Sequence, residues 1–67
     1  MKQINNKSII MQQIEQREGE CIEEILRRKY VDENKLITLI AKELQISYVT
    51  TYKWLNLAGI HSRKLNL

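Results

Sequence analysis

Ile40-Ala41-Lys42-Glu43-Leu44-Gln45-Ile46-Ser47-Tyr48-Val49-Thr50-Thr51-Tyr52-Lys53-Trp54 is the stretch whose reading decides the fold. Each position has a geometric job in two helices that cross steeply through a tight turn. Ala41 stands at the crossing, where only a small side chain lets the next helix approach. Ile40, Leu44, Ile46 and Trp54 fill the shared core, which makes Trp54 a packing residue rather than a stacking surface. Ser47 offers a hydroxyl to cap the second helix.

Working outward, the chain has no proline and two glycines, Gly19 and Gly59, and reads as helical almost throughout. The expected class is all-α, a three-helix domain with an N-terminal helical extension. The helix that starts at Tyr48 runs to Leu57 or Ala58, and Gly59 supplies the left-handed residue that ends it. The helix before the turn covers 36–44, capped by Asp32 or Asn34 from the turn at 31–35. Upstream, Ile22, Ile25, Leu26 and Tyr30 recur at spacings of three and four, one face of a helix over about 21–30. The whole segment from Ser8 to Tyr30 reads as one helix with a weak point at Gly19, N-capped by Asn5, Asn6 or Ser8. Ile10, Ile14 and Cys21 add to its apolar positions. The organisation is thus 1–20 as extension, 21–60 as the domain and 61–67 as a basic tail.

At 67 residues and 43% hydrophobic content the chain makes one small core. Cys21 has no disulfide partner, and no Cys and His cluster suggests a structural metal. Self-association is therefore expected, through residues 1–20 as a homodimer. No heptad register is convincing there, since Arg17 and Glu24 fall on the seam. The lone cysteine, the lack of a signal peptide and the lack of a long apolar run point to the cytoplasm, with no membrane contact. Ile, Lys and Asn together number 22 residues, the bias of an AT-rich genome such as that of a low-GC bacterium or its phage. The initiating Met1 favours a self-standing chain over a module cut from a larger recombinase. Net charge is +3, divided as −1 over residues 1–34 and +4 over 35–67. The cationic half favours a polyanion.

The run IAKELQISYVTTYKW resembles the helix-turn-helix of bacterial recombinases, transposases and small phage repressors, and Leu55-Asn56-Leu57-Ala58-Gly59-Ile60 with Arg63 is similar to the exit of that recognition helix and to modules appended to homing endonucleases. The resemblance covers about Tyr30 to Arg63. It implies a three-helix helix-turn-helix domain whose last helix enters the major groove of double-stranded DNA. Two positions depart from the family pattern. Gln45 stands where the turn usually has glycine and must take the left-handed conformation, at about 1 kcal/mol, or shift the turn slightly. Thr51 stands where a Val or Ile normally packs inward, so its hydroxyl must bond back to a carbonyl of the preceding turn. With Ala41, Leu44, Thr51 and Trp54 inward, Ser47, Tyr48, Val49, Tyr52, Lys53 and Asn56 form the base-reading face. Lys53 suits a guanine edge and Val49 a thymine methyl. Thr50 at the helix start and His61, Arg63 and Lys64 in the tail suit phosphates. The implied function is sequence-specific DNA binding, as a small transcription regulator or a recombination or replication accessory factor of a phage or mobile element.

Other readings of the same residues stand beside this one. Tyr48 and Tyr52, one turn apart, equally make an aromatic patch for a protein partner, which would make the chain an adaptor on a helix-turn-helix scaffold. Arg27-Arg28-Lys29 suits either the DNA backbone or a solvated helix end favourable to the macrodipole. Cys21 reads as a half-buried apolar residue, and Glu15, Glu18, Glu20, Glu23 and Glu24 as an acidic surface. His61 reads as a surface histidine. No nucleophile, base and orienter stand together, so neither an enzyme, a cofactor, a metal nor a small-molecule ligand is expected.

Overall fold

The computed structural model describes residues 4–60; the readings made for His61, Arg63 and Lys64 lie outside them. Among the described residues there are helices and no strands: α1 (Ile9–Glu18), α2 (Ile22–Arg27) running on as a π-helical turn (Arg28–Asp32), α3 (Ile37–Leu44) and α4 (Tyr48–Leu57). The all-α expectation holds, and the last three helices fall where the spacing places them.

The segment from Ser8 to Tyr30 is two helices, not one. Ser8 caps α1, its Oγ accepting from the Met11 amide at 3.2 Å, and Gly19 ends it with φ of 74°. A glycine in the left-handed region is an efficient helix terminator, and here that preference outweighs the helical pattern on either side. The break frees α2 to start afresh at Ile22. Its N-cap, Cys21, makes no side-chain bond, and the Glu15 carboxylate from α1 accepts the Ile22 amide at 2.7 Å instead. Cys21 is consequently exposed rather than half-buried.

The end of α2 widens by one residue. The Glu33 amide donates to the Arg28 carbonyl, five residues back, and Lys35 to Lys29, six back, with Asn34 left-handed at φ of 57°. The cap expected from Asp32 or Asn34 is absent. Asp32 turns back onto Arg27 through two bonds of 2.9 and 3.1 Å, Asn34 is consumed as the terminator, and Leu36 stands uncapped at the start of α3.

One core joins all the elements. Ile22, Ile25, Leu26 and Tyr30 meet Ile40, Leu44, Trp54, Leu55, Ala58 and Ile60, with Ile37 and Ile46 packed at its edge. Each large apolar side chain so buried contributes roughly 1.5–3 kcal/mol. Ile4, Met11 and Ile14 belong to the same cluster, so residues 4–20 dock on the domain, and Ile9 and Ile10 are left exposed. Glu23, expected on an acidic surface, is 2% exposed. Its Oε2 accepts from the Ile4 amide at 2.6 Å and its Oε1 from Lys7 Nζ at 2.9 Å, while Lys7 also bridges to Glu15. A buried charge needs this degree of pairing, which is why Glu23 can leave the surface.

Candidate nucleic-acid interface

The α3–turn–α4 unit is assembled from two similar helix ends. After Leu44, Gln45 takes φ of 60°, the Gln45 amide donates to Lys42 and the Ile46 amide to Ala41. After Ala58, Gly59 takes φ of 75°, its amide donates to Asn56 and the Ile60 amide to Leu55. Both are the paired six-to-one and five-to-two bonds of a Schellman termination, with glutamine doing in the first what glycine does in the second. Ile46 and Ile60 then fold back onto the core, which fixes where the chain leaves each helix.

Ser47 caps α4 as its hydroxyl demands: Oγ accepts from the Thr50 amide at 3.0 Å and donates to Thr50 Oγ1 at 2.8 Å. Thr51 is 0% exposed and its Oγ1 donates to the Ser47 carbonyl at 2.9 Å, the back-bond its inward position requires. With Ala41, Leu44, Thr51 and Trp54 buried, the expected outer face is brought together on one side of the helix. Ser47, Tyr48, Val49, Tyr52, Lys53 and Asn56 are all exposed, and Thr50 is half-buried at their edge.

Two features of α4 went unread in the sequence. Leu55 is buried, in register with Thr51, Trp54 and Ala58, a spacing of three and four that was there to be seen. Leu57 is exposed too, one turn beyond Lys53 and on the edge of the outer face away from the two tyrosines. Tyr48 also lines a shallow cleft of about 260 Å³ with Tyr30, Leu36, Ile37 and Thr38, which places the tyrosine edge of α4 towards α3.

Among the described residues the division into an acidic and a basic half persists, at −2 over residues 4–34 and +2 over 35–60. Residues 4–60 carry eight acidic and eight cationic side chains, and the formal +3 rests on Lys2, Arg63 and Lys64. Every acid of the eight is ion-paired. Arg27 holds Glu24 and Asp32, Arg28 holds Glu20 and Glu33, and Lys29 and Lys35 converge on Glu43. The Arg27-Arg28-Lys29 run is thus one side of an ion-pair belt around the π-helical turn. Hydrogen bonds from Lys29 and then Lys35 hold the Glu43 carboxyl below its ordinary range.

Buried Glu23 is the more constrained group. Burial alone would push its carboxyl up, but the Ile4 amide and the Lys7 ammonium outweigh that and hold it below the usual carboxylate value. Glu15 is governed the same way, burial opposed by Lys7 and the Ile22 amide, with the lowering the larger. The Lys7 ammonium is raised, first by its bond to Glu15. Ligand atoms of Glu15, Cys21 and Glu23 approach within 4.8 Å of one another, the spacing of a metal site. Lys7 and the Ile4 and Ile22 amides bond those two carboxylates, so Lys7, Glu15 and Glu23 work as an internal lock. No described helix is long and apolar enough to cross a membrane. Compared with protein-family models, with curated protein sequences and with solved structures, the chain has no match.

Proposed function

We propose that α3, the Gln45 turn and α4 form a helix-turn-helix and that the protein binds double-stranded DNA sequence-specifically, with α4 in the major groove, as a small transcription regulator or a recombination or replication accessory factor of a phage or mobile element. The observation that carries this reading is the division of α4. Thr51, Trp54 and Leu55 are sealed inward, and Tyr48, Val49, Tyr52, Lys53 and Asn56 stand out on one exposed face of a helix whose start is capped and whose turn is fixed. Such a helix presents hydrogen-bonding and apolar groups at the width a major groove admits. A single copy reads few base pairs, so a homodimer on two half-sites supplies the specificity. Among the described residues 4–20, Ile9 and Ile10 are the large apolar side chains left exposed for that contact.

Selection of bound sequences from a random duplex pool tests the reading directly, and a two-fold symmetric consensus is the expected product. In anisotropy titrations on the enriched site, Lys53→Ala and Tyr52→Ala each weaken binding by about 1–3 kcal/mol with unchanged helicity. Wild-type affinity in both variants would mean that another face reads the DNA.

An adaptor that binds a protein through the same region has its own support. The charge balance of residues 4–60 and the cleft beside Tyr48, rimmed by exposed Leu36, suit a protein surface. Added salt separates the two readings, since DNA binding falls steeply with it and a tyrosine-anchored protein contact does not.

A further inference from the structure

Among the described residues, Lys42 and Lys53 are the two cations that hold no ion pair. Both are exposed, and helical register relates them. On α3, Ile37, Ile40, Ala41 and Leu44 turn towards the core, and Glu43 turns to the flank where Lys29 and Lys35 reach it. Lys42 lies one turn beyond Thr38 on the other flank. Thr38 shares its cleft with Tyr48, so that flank is the one beside α4. On α4, Tyr48 borders that cleft with Tyr52 one turn on, and Lys53 lies with Val49 and Asn56 along the middle of the exposed face. Lys42 on α3 and Lys53 on α4 are thus ammonium groups that no described carboxylate pairs.

We propose that Lys42 is a phosphate-binding residue of the DNA interface, anchoring the strand beside α3 while Lys53 meets base edges. The inference rests on α4 being the reading helix, and it adds the side from which the duplex approaches. A phosphate at Lys42 releases counterions without displacing a protein carboxylate. A phosphate at Arg27, Arg28 or Lys29 would lie among Glu20, Glu24, Asp32, Glu33 and Glu43, whose charges oppose it. The duplex therefore crosses the Thr38–Lys42 flank and leaves the ion-pair belt facing away. Sequence patterning hid Lys42 because its neighbour Glu43 cancels it on paper; in the fold Glu43 is taken up by Lys29 and Lys35, which leaves the Lys42 charge unpaired.

Lys42→Gln in the full chain, titrated by anisotropy against the enriched duplex and against a mixed-sequence duplex over a salt series, tests the proposal. Affinity should fall by the same factor on both duplexes, and the slope of log affinity against log salt should become shallower by about 0.9, the release of one counterion. Arg17→Gln removes the same charge from α1 and should leave the slope unchanged. Circular dichroism of each variant should match the wild type. An unchanged slope in Lys42→Gln, or an equal change in both variants, overturns the role of Lys42 while leaving α4 as the reader. Wild-type protein that binds neither duplex overturns both.

Discussion

Gln45 and Gly59 close their helices with the same pair of hydrogen bonds, yet only one of them is free of a Cβ in the left-handed region. Gln45→Gly is therefore expected to stabilise the protein by about 1 kcal/mol, a rise of about 4–8 °C in Tm for a domain of this size. Thermal melts followed by circular dichroism check this. Thr51 offers a second test, because its hydroxyl bonds a Ser47 carbonyl that already accepts the Thr51 amide. Thr51→Val removes the back-bond without orphaning that carbonyl, so stability should stay within about 1 kcal/mol of wild type, on the stabilising side, in urea titrations. Both conformations were legible in the sequence, since each followed from one residue type at a forced position. Glu23 was not, because a glutamate in a helix looks alike whether it faces water or a distant lysine. What buries it is Lys7, sixteen residues away, and the Ile4 amide, and no local pattern links them.

At the scale of elements, the helices with strong punctuation were the readable ones. Ser47 and Gly59 bracket α4, and its bounds followed from them. Gly19 was equally plain as a terminator but was weighed against apolar spacing that continued through it, and the positive φ shows which signal governs. The cap of α3 was misassigned because Asp32 and Asn34 are good caps in isolation, and each is drawn off by a stronger role, the first by Arg27 and the second by the left-handed turn. Leu36, 66% exposed and in the extended conformation of an N-cap, is left without a capping oxygen. Leu36→Ser supplies one and loses little burial, so it should stabilise the fold by about 1 kcal/mol. A denaturation midpoint no higher than wild type would show that solvent already satisfies those amides fully.

Over the whole molecule, the Lys7–Glu15–Glu23 lock makes stability depend on acid. Both carboxyls are depressed in the folded state from the ordinary value of 4.5. Their contribution is complete above that value and is lost as pH falls through the lower folded values. Lys7 acts in the opposite sense, its contribution present below 10.5 and lost as pH rises through its raised folded value. Glu23→Gln should cost about 1.5–3 kcal/mol at neutral pH and flatten the acid limb of a stability profile measured by urea unfolding. The Ile4 end of this lock also offers a clock. An amide outside the helices ordinarily exchanges its hydrogen with solvent almost unprotected, but that of Ile4 is buried on a carboxylate. Its exchange rate therefore times the lifting of the first segment off α2, separately from the amides of α4 that open with the rest of the core.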